Sequence, residues 1–297
     1  MHQPLRVMPI VIALTVVVAG SLLASVAGAQ PPRTPLSLEP SGSTGEAVWP
    51  AYEAWSRNED GSLTLLVGYY NRNEVAVDIP IGEDNHMGPD AADMGQPTHF
   101  LPGRNWGVFS VTVPADQAER RLNWTLRINN QLAEVEFWAN PPYFADPFLN
   151  KANGNVPPII KVGPNGAESQ GPLHGVAATY STTVGEPLTL LVTVTDQPLT
   201  IEPERRTGRR RRPPLGVTWK KYRGPGLVTF EAEGLDTGSE LTHTFDDLAG
   251  GETMTSVTFD APGQYRLMAT GNDVSGNGGG GDQCCWTTAH VDVTVNP

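Results

Sequence analysis

The chain has two cysteines, and they are adjacent: Cys284 and Cys285, inside the stretch GNGGGGDQCCWTTAH that runs from Gly276 to His290. Neighbouring Cα atoms lie ~3.8 Å apart across a trans peptide, short of the usual ~4.4–6.8 Å span of a disulfide. A bridge between them therefore needs a distorted turn and is easily reduced; two free thiols or bridges between chains are the alternatives. A metal site made from this pair alone is not expected, because adjacent cysteines leave a tetrahedral ion short of ligands. Counting back in steps of two along the final strand puts Val295, Val293, Val291, Ala289, Thr287 and Cys285 on the core face. Cys284, Trp286, Thr288 and His290 then face outward. Two roles compete for this group. In one, Trp286 stacks on a sugar or peptide beside a rigid pair of cysteines, with His290 on the same face. In the other, Trp286 covers the seam with the first domain or packs under the Gly-rich loop, and this packing role is the simpler account.

Three further clusters could bind. Asn272, Asp273, Asn277 and Asp282 bracket a glycine run, and oxygen ligands on a flexible loop suit Ca²⁺. GNGGGGD resembles part of a calcium-binding repeat, but it occurs once, where a repeat array needs several copies. The alternative is a long turn whose glycines supply positive φ. No other cofactor is indicated. A second cluster lies in GEDNHMGPDAADMGQPTH (Gly82–His99), with Glu83, Asp84, His86, Asp90, Asp93 and His99; its spacing matches no metal signature. The third is ERRTGRRRRPP (Glu204–Pro214), able to grip an anionic surface and equally readable as a disordered, protease-sensitive loop. Catalytic signatures are missing: no G-x-S-x-G, H-E-x-x-H, G-x-x-x-x-G-K or Rossmann fingerprint occurs. An enzyme is not expected, and a metal-dependent hydrolase using the Gly82–His99 loop is the last of three readings.

The N-terminus, MHQPLRVMPIVIALTVVVAGSLLASVAGAQ, has a short basic start, an apolar run and Ala27-Gly28-Ala29. That is a signal peptide over residues 1–29, cleaved after Ala29, which predicts a secreted or periplasmic protein with no membrane span once the signal is removed. Residues 30–45, rich in Pro and Ser, read as a disordered N-terminal segment. The net charge of −12, from 20 basic and 32 acidic residues, argues against a nucleic-acid partner.

These clusters need elements to hold them, and the elements read as strands. Gly (32) and Pro (27) are abundant, and short runs of alternating polarity lie between turn residues. SLTLLVGYYN aligns Leu63, Leu65, Val67 and Tyr69. EVAVDIPI aligns Val75, Val77 and Ile79. WGVFSVTVP aligns Phe109, Val111 and Val113. LNWTLRIN aligns Leu122, Trp124, Leu126 and Ile128, and AEVEFW aligns Ala133, Val135 and Phe137. A Pro/Asn-rich connector follows over residues 141–158. Beyond it, EPLTLLVTVTD, GVTWKKY, GLVTF, TSVTFDAPGQYRLMATGND and AHVDVTV supply the strands of a second sandwich. The fold class is all-β: two antiparallel β-sandwich domains, over residues 46–140 and 159–297.

The second domain resembles immunoglobulin-like or PKD-type modules. VGEPLTLLVTVTD is similar to their second strand, and VTW to the third, which carries the core tryptophan, Trp219. DAPGQYRLMATGND is similar to the corner and penultimate strand. The resemblance implies a tyrosine corner at Tyr265, and apolar Leu190 and Leu267 where antibody domains carry an inter-sheet disulfide. GYYNRN, GQPTHFLPGRNWGVFSVTVP and GGGGDQCCWT also resemble a family of exported bacterial proteins of unassigned function, which implies export and no mechanism. The expected role is therefore non-catalytic interaction outside the cytoplasm, with a carbohydrate or an envelope protein as partner. A structural component of a larger envelope assembly is the alternative.

Overall fold

Leu63, Leu65, Val67 and Tyr69 do form one buried face, on β2 (Leu63–Asn71). β2 is the centre of a three-stranded antiparallel sheet, between β1 (Val48–Arg57) and β6 (Gly103–Val113). This computed structural model describes residues 45–89, 91–145, 155–171, 174–198, 215–273 and 285–297. The signal-peptide reading, the basic stretch, the middle of the connector, Asp90, Asn277, Asp282 and Cys284 lie outside them.

Facing the first sheet is a second of three strands, ordered β4 (Asn85–Gly88), β7 (Leu122–Ile128), β8 (Gln131–Phe137). Between them Trp124 is buried edge-on to Phe109, with centroids 5.0 Å apart, and its indole Nε1 donates to Asn85 Oδ1 at 3.0 Å. Two expectations change here. The long irregular loop Gly82–His99 contains β4 and leads into β5 (His99–Phe100), which pairs with β3 (Val77–Asp78). EVAVDIPI is strand only at β3, and Val75 is exposed. Strands of two to four residues are too short to show a period, so alternation detects neither their presence nor their limits.

The second sandwich has ten strands among the described residues. One sheet runs β10 (Glu168–Gln170), β9 (Ile159–Val162), β12 (Leu188–Thr195), β16 (Gly251–Phe259), β14 (Val228–Glu231). The other runs β11 (His174–Thr183), β18 (Trp286–Asn296), β17 (Gly263–Asp273), β13 (Leu215–Arg223), β15 (Glu240–Phe245). In chain order this is the A-B-E-D sheet against the G-F-C sheet of an immunoglobulin-type sandwich, with β11 joined in parallel to the last strand. Trp219 on β13, Leu190 on β12 and Leu267 on β17 are fully buried in the core between the sheets. Tyr265 makes the corner: its Oη donates to Ala261 O at 2.8 Å and accepts from the Gly226 N–H at 3.0 Å.

Residues 42–297 form one compact unit, so contacts between the sandwiches belong to its interior. The outer face of the β13–β17–β18 sheet is packed against the first sandwich. Tyr222 and Met268, both on that face, are buried in the same apolar cluster as Phe100, Phe109 and Trp124. Both ends of the connector are tied down. Tyr143 stacks on Tyr52 of β1 at 4.7 Å, and Asn155 donates to Asp273 at the end of β17.

Candidate functional site

The sequence placed Trp286, Thr288 and His290 on the outward face of the last strand. They are on that face, and the first sandwich covers it. Trp286 is 1% exposed. Its ring lies over Gly107 of β6, next to Leu66. A Cβ built at position 107 would stand 2.6 Å from Trp286 Cζ2 and 3.2 Å from a Leu66 methyl. Gly107 also has φ +50°, in the left-handed region that side chains avoid. Glycine is thus required there twice over, by its own backbone and by the indole above it.

Cys285, next to Trp286, is buried and disulfide-bonded. Thr287 points to the other side, where its hydroxyl donates to Pro158 O and accepts from the Gly171 N–H. These bonds fasten the start of β18 to the segment that enters the second sandwich. The Thr288 N–H adds a bond to Gly171 O at 3.2 Å.

His290 is 7% exposed, with its ring 4.4 Å from that of Tyr222. Its Nε2 has no hydrogen-bond partner among the described residues. Burial pushes its pKa down to about 3; the cations Arg266 and Arg223 add to the fall, and Asp292 opposes it. The ring is therefore neutral at physiological pH and acts as an aromatic packing group, not an acid or a base.

Around these side chains the seam is polar and closely tied. Tyr222 Oη donates to Gly95 O at 2.6 Å, and the Thr98 N–H donates to Tyr222 O. Arg223 donates from Nε to Gln96 O at 2.6 Å and grips Asp93 with both terminal nitrogens, at 3.0 and 2.8 Å. That fork holds the Asp93 carboxyl below the usual range. Lys221, 5% exposed, reaches Asp78 at 3.2 Å, and His99 meets the same oxygen at 2.8 Å. Burial works to raise the Asp78 pKa, but His99 and Lys221 together bring it below normal.

Of the Gly82–His99 cluster, Asp93, His99 and their neighbours are thus spent on the seam. Asp84 faces Arg127, and His86 Nδ1 lies 3.1 Å from Glu83 O. Among the described residues, no three His, Cys, Asp or Glu side chains gather as a metal site. At the end of β17, beside the connector, Asp273 stands close enough to Asp196, which follows β12, for their charges to interact. Burial, with the nearby Asp273 charge adding, pushes the Asp196 carboxyl up to about 7. This is the one place where the structure adds a described carboxylate to the expected Asn272 and Asp273 pair.

Two buried features had no signal in the sequence. The first is Glu53, the extra residue of a β-bulge between Tyr52 and Ala54. Its side chain is fully buried; Arg104 Nη2 lies 2.7 Å from Oε1, and the Gly107 N–H donates to Oε2 at 2.7 Å. Burial pushes this carboxyl up to about 7 against the pull of both partners. The second is the Lys221–Tyr222–Arg223 run, which alternation reads as an ordinary strand end. An open cleft of about 480 Å³, lined in part by Arg121, Asn123, Glu134 and Glu136, lies on the β4–β7–β8 sheet and holds none of the expected site residues.

No protein-family model matches the chain, and no curated protein sequence matches it. Among solved structures it is similar to domains 4 and 5 of the S-layer protein SbsC, at 15% identity and TM-score 0.24, over 60% of this chain and 65% of that one. It is also similar to the D00-D0 domain of intimin, at 8% identity and TM-score 0.25, over 84% of this chain and 100% of that one. A third is the Yersinia pseudotuberculosis adhesin InvE, at 11% identity and TM-score 0.24, over 86% of this chain and 60% of that one. The chain thus spans less than two thirds of the S-layer fragment and of the InvE chain. Likenesses at these TM-scores carry no argument; the immunoglobulin-type assignment rests on the strand order and the Tyr265 corner.

Proposed function

We propose that this is a non-catalytic interaction protein that works outside the cytoplasm, presenting a rigid pair of β-sandwiches to a carbohydrate or protein surface. The observation that carries the reading is where the chemically able side chains are used. Trp286, His290, Asp78, Asp93, His99 and Lys221 are all engaged at one seam, where they hold the sandwiches in register. Side chains committed in this way serve to fix the relative position of two binding faces. Export rests on the signal-peptide pattern of residues 1–29.

Calcium belongs to the same proposal. Asp196 and Asp273 repel each other at the loop end, and a divalent cation relieves that repulsion together with Asn272 and, from the adjoining run, Asn277 and Asp282. Titrating the purified protein with Ca²⁺ then raises its melting temperature, EGTA reverses the rise, and Asp273→Asn abolishes it.

The test of the main reading is a paired assay of the secreted protein against a glycan array and envelope fractions, with turnover followed in the same samples. Retention of a glycan or envelope protein without turnover supports the proposal. Chelator-sensitive hydrolysis that is lost in His86→Ala would sink it.

A further inference from the structure

Exposed aromatic side chains lie on a different sheet from Trp286. Trp124, Trp219 and Trp286 are each at most 1% exposed, but Trp49 and Tyr70 are each 44% exposed. They are not scattered. Trp49 on β1 pairs with Tyr70 on β2, and Tyr70 pairs with Arg104 on β6, so one row crosses all three strands of the first sheet. With strands ~4.8 Å apart, that row is about 10 Å wide. Two residues along β6 from Arg104, Trp106 is half-buried, and the Arg104 guanidinium lies 3.8 Å over its ring. Leaving Trp49 and Tyr70 uncovered forgoes burial free energy that the enclosed tryptophans gain, so packing does not explain them.

The row is built on a buried foundation. Arg104 is held by Glu53 at 2.7 Å, by Tyr69 O at 3.1 Å and by Asn105 O at 2.8 Å. These partners lie across Gly68, where a Cβ would stand 2.0 Å from Glu53 Oε1 and 2.7 Å from Arg104 Nη1. Arg104 is thereby spent on positioning and has no fork left for a carboxylate or phosphate. Next along the same face Arg72 is paired with Glu46 at 3.5 Å. Both cations of the strip are compensated from within, so it offers no field to a charged partner. The chain as a whole carries −12, which disfavours a polyanion at this strip. What fits an exposed aromatic row with no free charge is a ligand that is apolar on its faces and polar at its edges.

We propose that Trp49 and Tyr70 form a stacking platform for a neutral polysaccharide, whose pyranose C–H faces lie on the two rings, with Trp106, its ring capped by Arg104, at the border. This rests on the interaction role above and names its ligand class and site. The strip is continuous with the seam: the same sheet face is covered by Trp286 at Leu66 and Gly107 and becomes open at Trp49 and Tyr70. The second sandwich closes one end of the strip and leaves the other free.

The experiment is affinity electrophoresis of the secreted chain in gels containing hydroxyethyl cellulose, xylan, mannan or starch, with alginate and heparin as anionic controls. Retardation on at least one neutral polymer is expected, unchanged between low and high salt. Trp49→Ala and Tyr70→Ala each weaken it about tenfold, and the double variant abolishes it. Both side chains are exposed, so melting temperatures stay near the parent value, and Trp49→Phe, which keeps a stacking face, retains binding. Retardation on anionic polymers alone, lost at high salt, overturns the proposal. Neutral-polymer binding that survives in the double variant removes this site and leaves the interaction role standing. Retention of an envelope protein, with no polysaccharide bound by any form, also removes the site without touching that role.

Discussion

Glu53 and His290 are buried ionisable groups whose pKa values move in opposite senses, and Asp196, also pushed up to about 7, acts on the Glu53 side. His290 falls to about 3 from an ordinary 6.5, so the unfolded chain takes up its proton first. The stability contributed by neutral His290 is full above pH 6.5 and is lost as pH falls toward 3. Glu53 rises to about 7 from 4.5, so the folded state holds the proton more tightly. Its contribution is full below pH 4.5 and is lost as pH rises through 7. Each slope is at most about 1.4 kcal/mol per pH unit, and between pH 4.5 and 6.5 they oppose each other. We expect His290→Gln to expose the Glu53 slope, with stability falling as pH rises across that window. Glu53→Gln combined with Asp196→Asn, which removes both raised carboxyls, exposes the other, with stability falling as pH drops. Urea unfolding at half-unit pH steps checks both; parallel profiles for the two variants would refute the assignment.

The strands show where local chemistry is enough. Leu188–Thr195 could be read directly, because it alternates between buried and more open side chains over several residues. The Tyr265 corner was implied by the resemblance of DAPGQYRLMATGND to immunoglobulin-like and PKD-type modules, and its hydroxyl does reach back to Ala261 O. β4 was not legible, since in four residues Asn85 is buried for its bonds to Ile79 O and Pro97 O, a pattern that hydrophobicity does not record. Tyr265→Phe removes the bond to Ala261 O and the one from Gly226 N–H while keeping the ring. We expect a loss of about 1–2 kcal/mol with native circular dichroism. A neutral result in chemical denaturation would mean that the ring alone makes the corner.

The seam decides how the two sandwiches behave together. Tyr222 and Met268 continue the first core into the second sandwich, and the Arg223–Asp93 fork clamps its rim. Trp286→Ala removes the largest side chain over Gly107 and is expected to cost about 3–5 kcal/mol. Gly107→Ala, which drives a Cβ into the same ring at positive φ, costs on the order of 3 kcal/mol. In both variants amide exchange should quicken at Leu66, Val108 and Met268, on either side of the seam, while the interior of the second sandwich around Leu190 and Val257 stays protected. Uniform loss of protection would mean that the sandwiches unfold as a single cooperative core.

The sequence determined the all-β class and the strands with a clear period of two, because each depends on residues close together in the chain, while the immunoglobulin-type corner was implied by the resemblance of DAPGQYRLMATGND to known modules. The sequence also determined which face of β18 carries Trp286 and His290. Only the tertiary structure decided what lies on that face. Alternation separates two sides of a strand, and both sides of β18 are buried, one in its own core and one under the first sandwich. The same limit hid the Glu53–Arg104 pair and the Trp49–Tyr70 row. Residues on three strands become neighbours through pairing register, and register is set by the packing of the whole sheet.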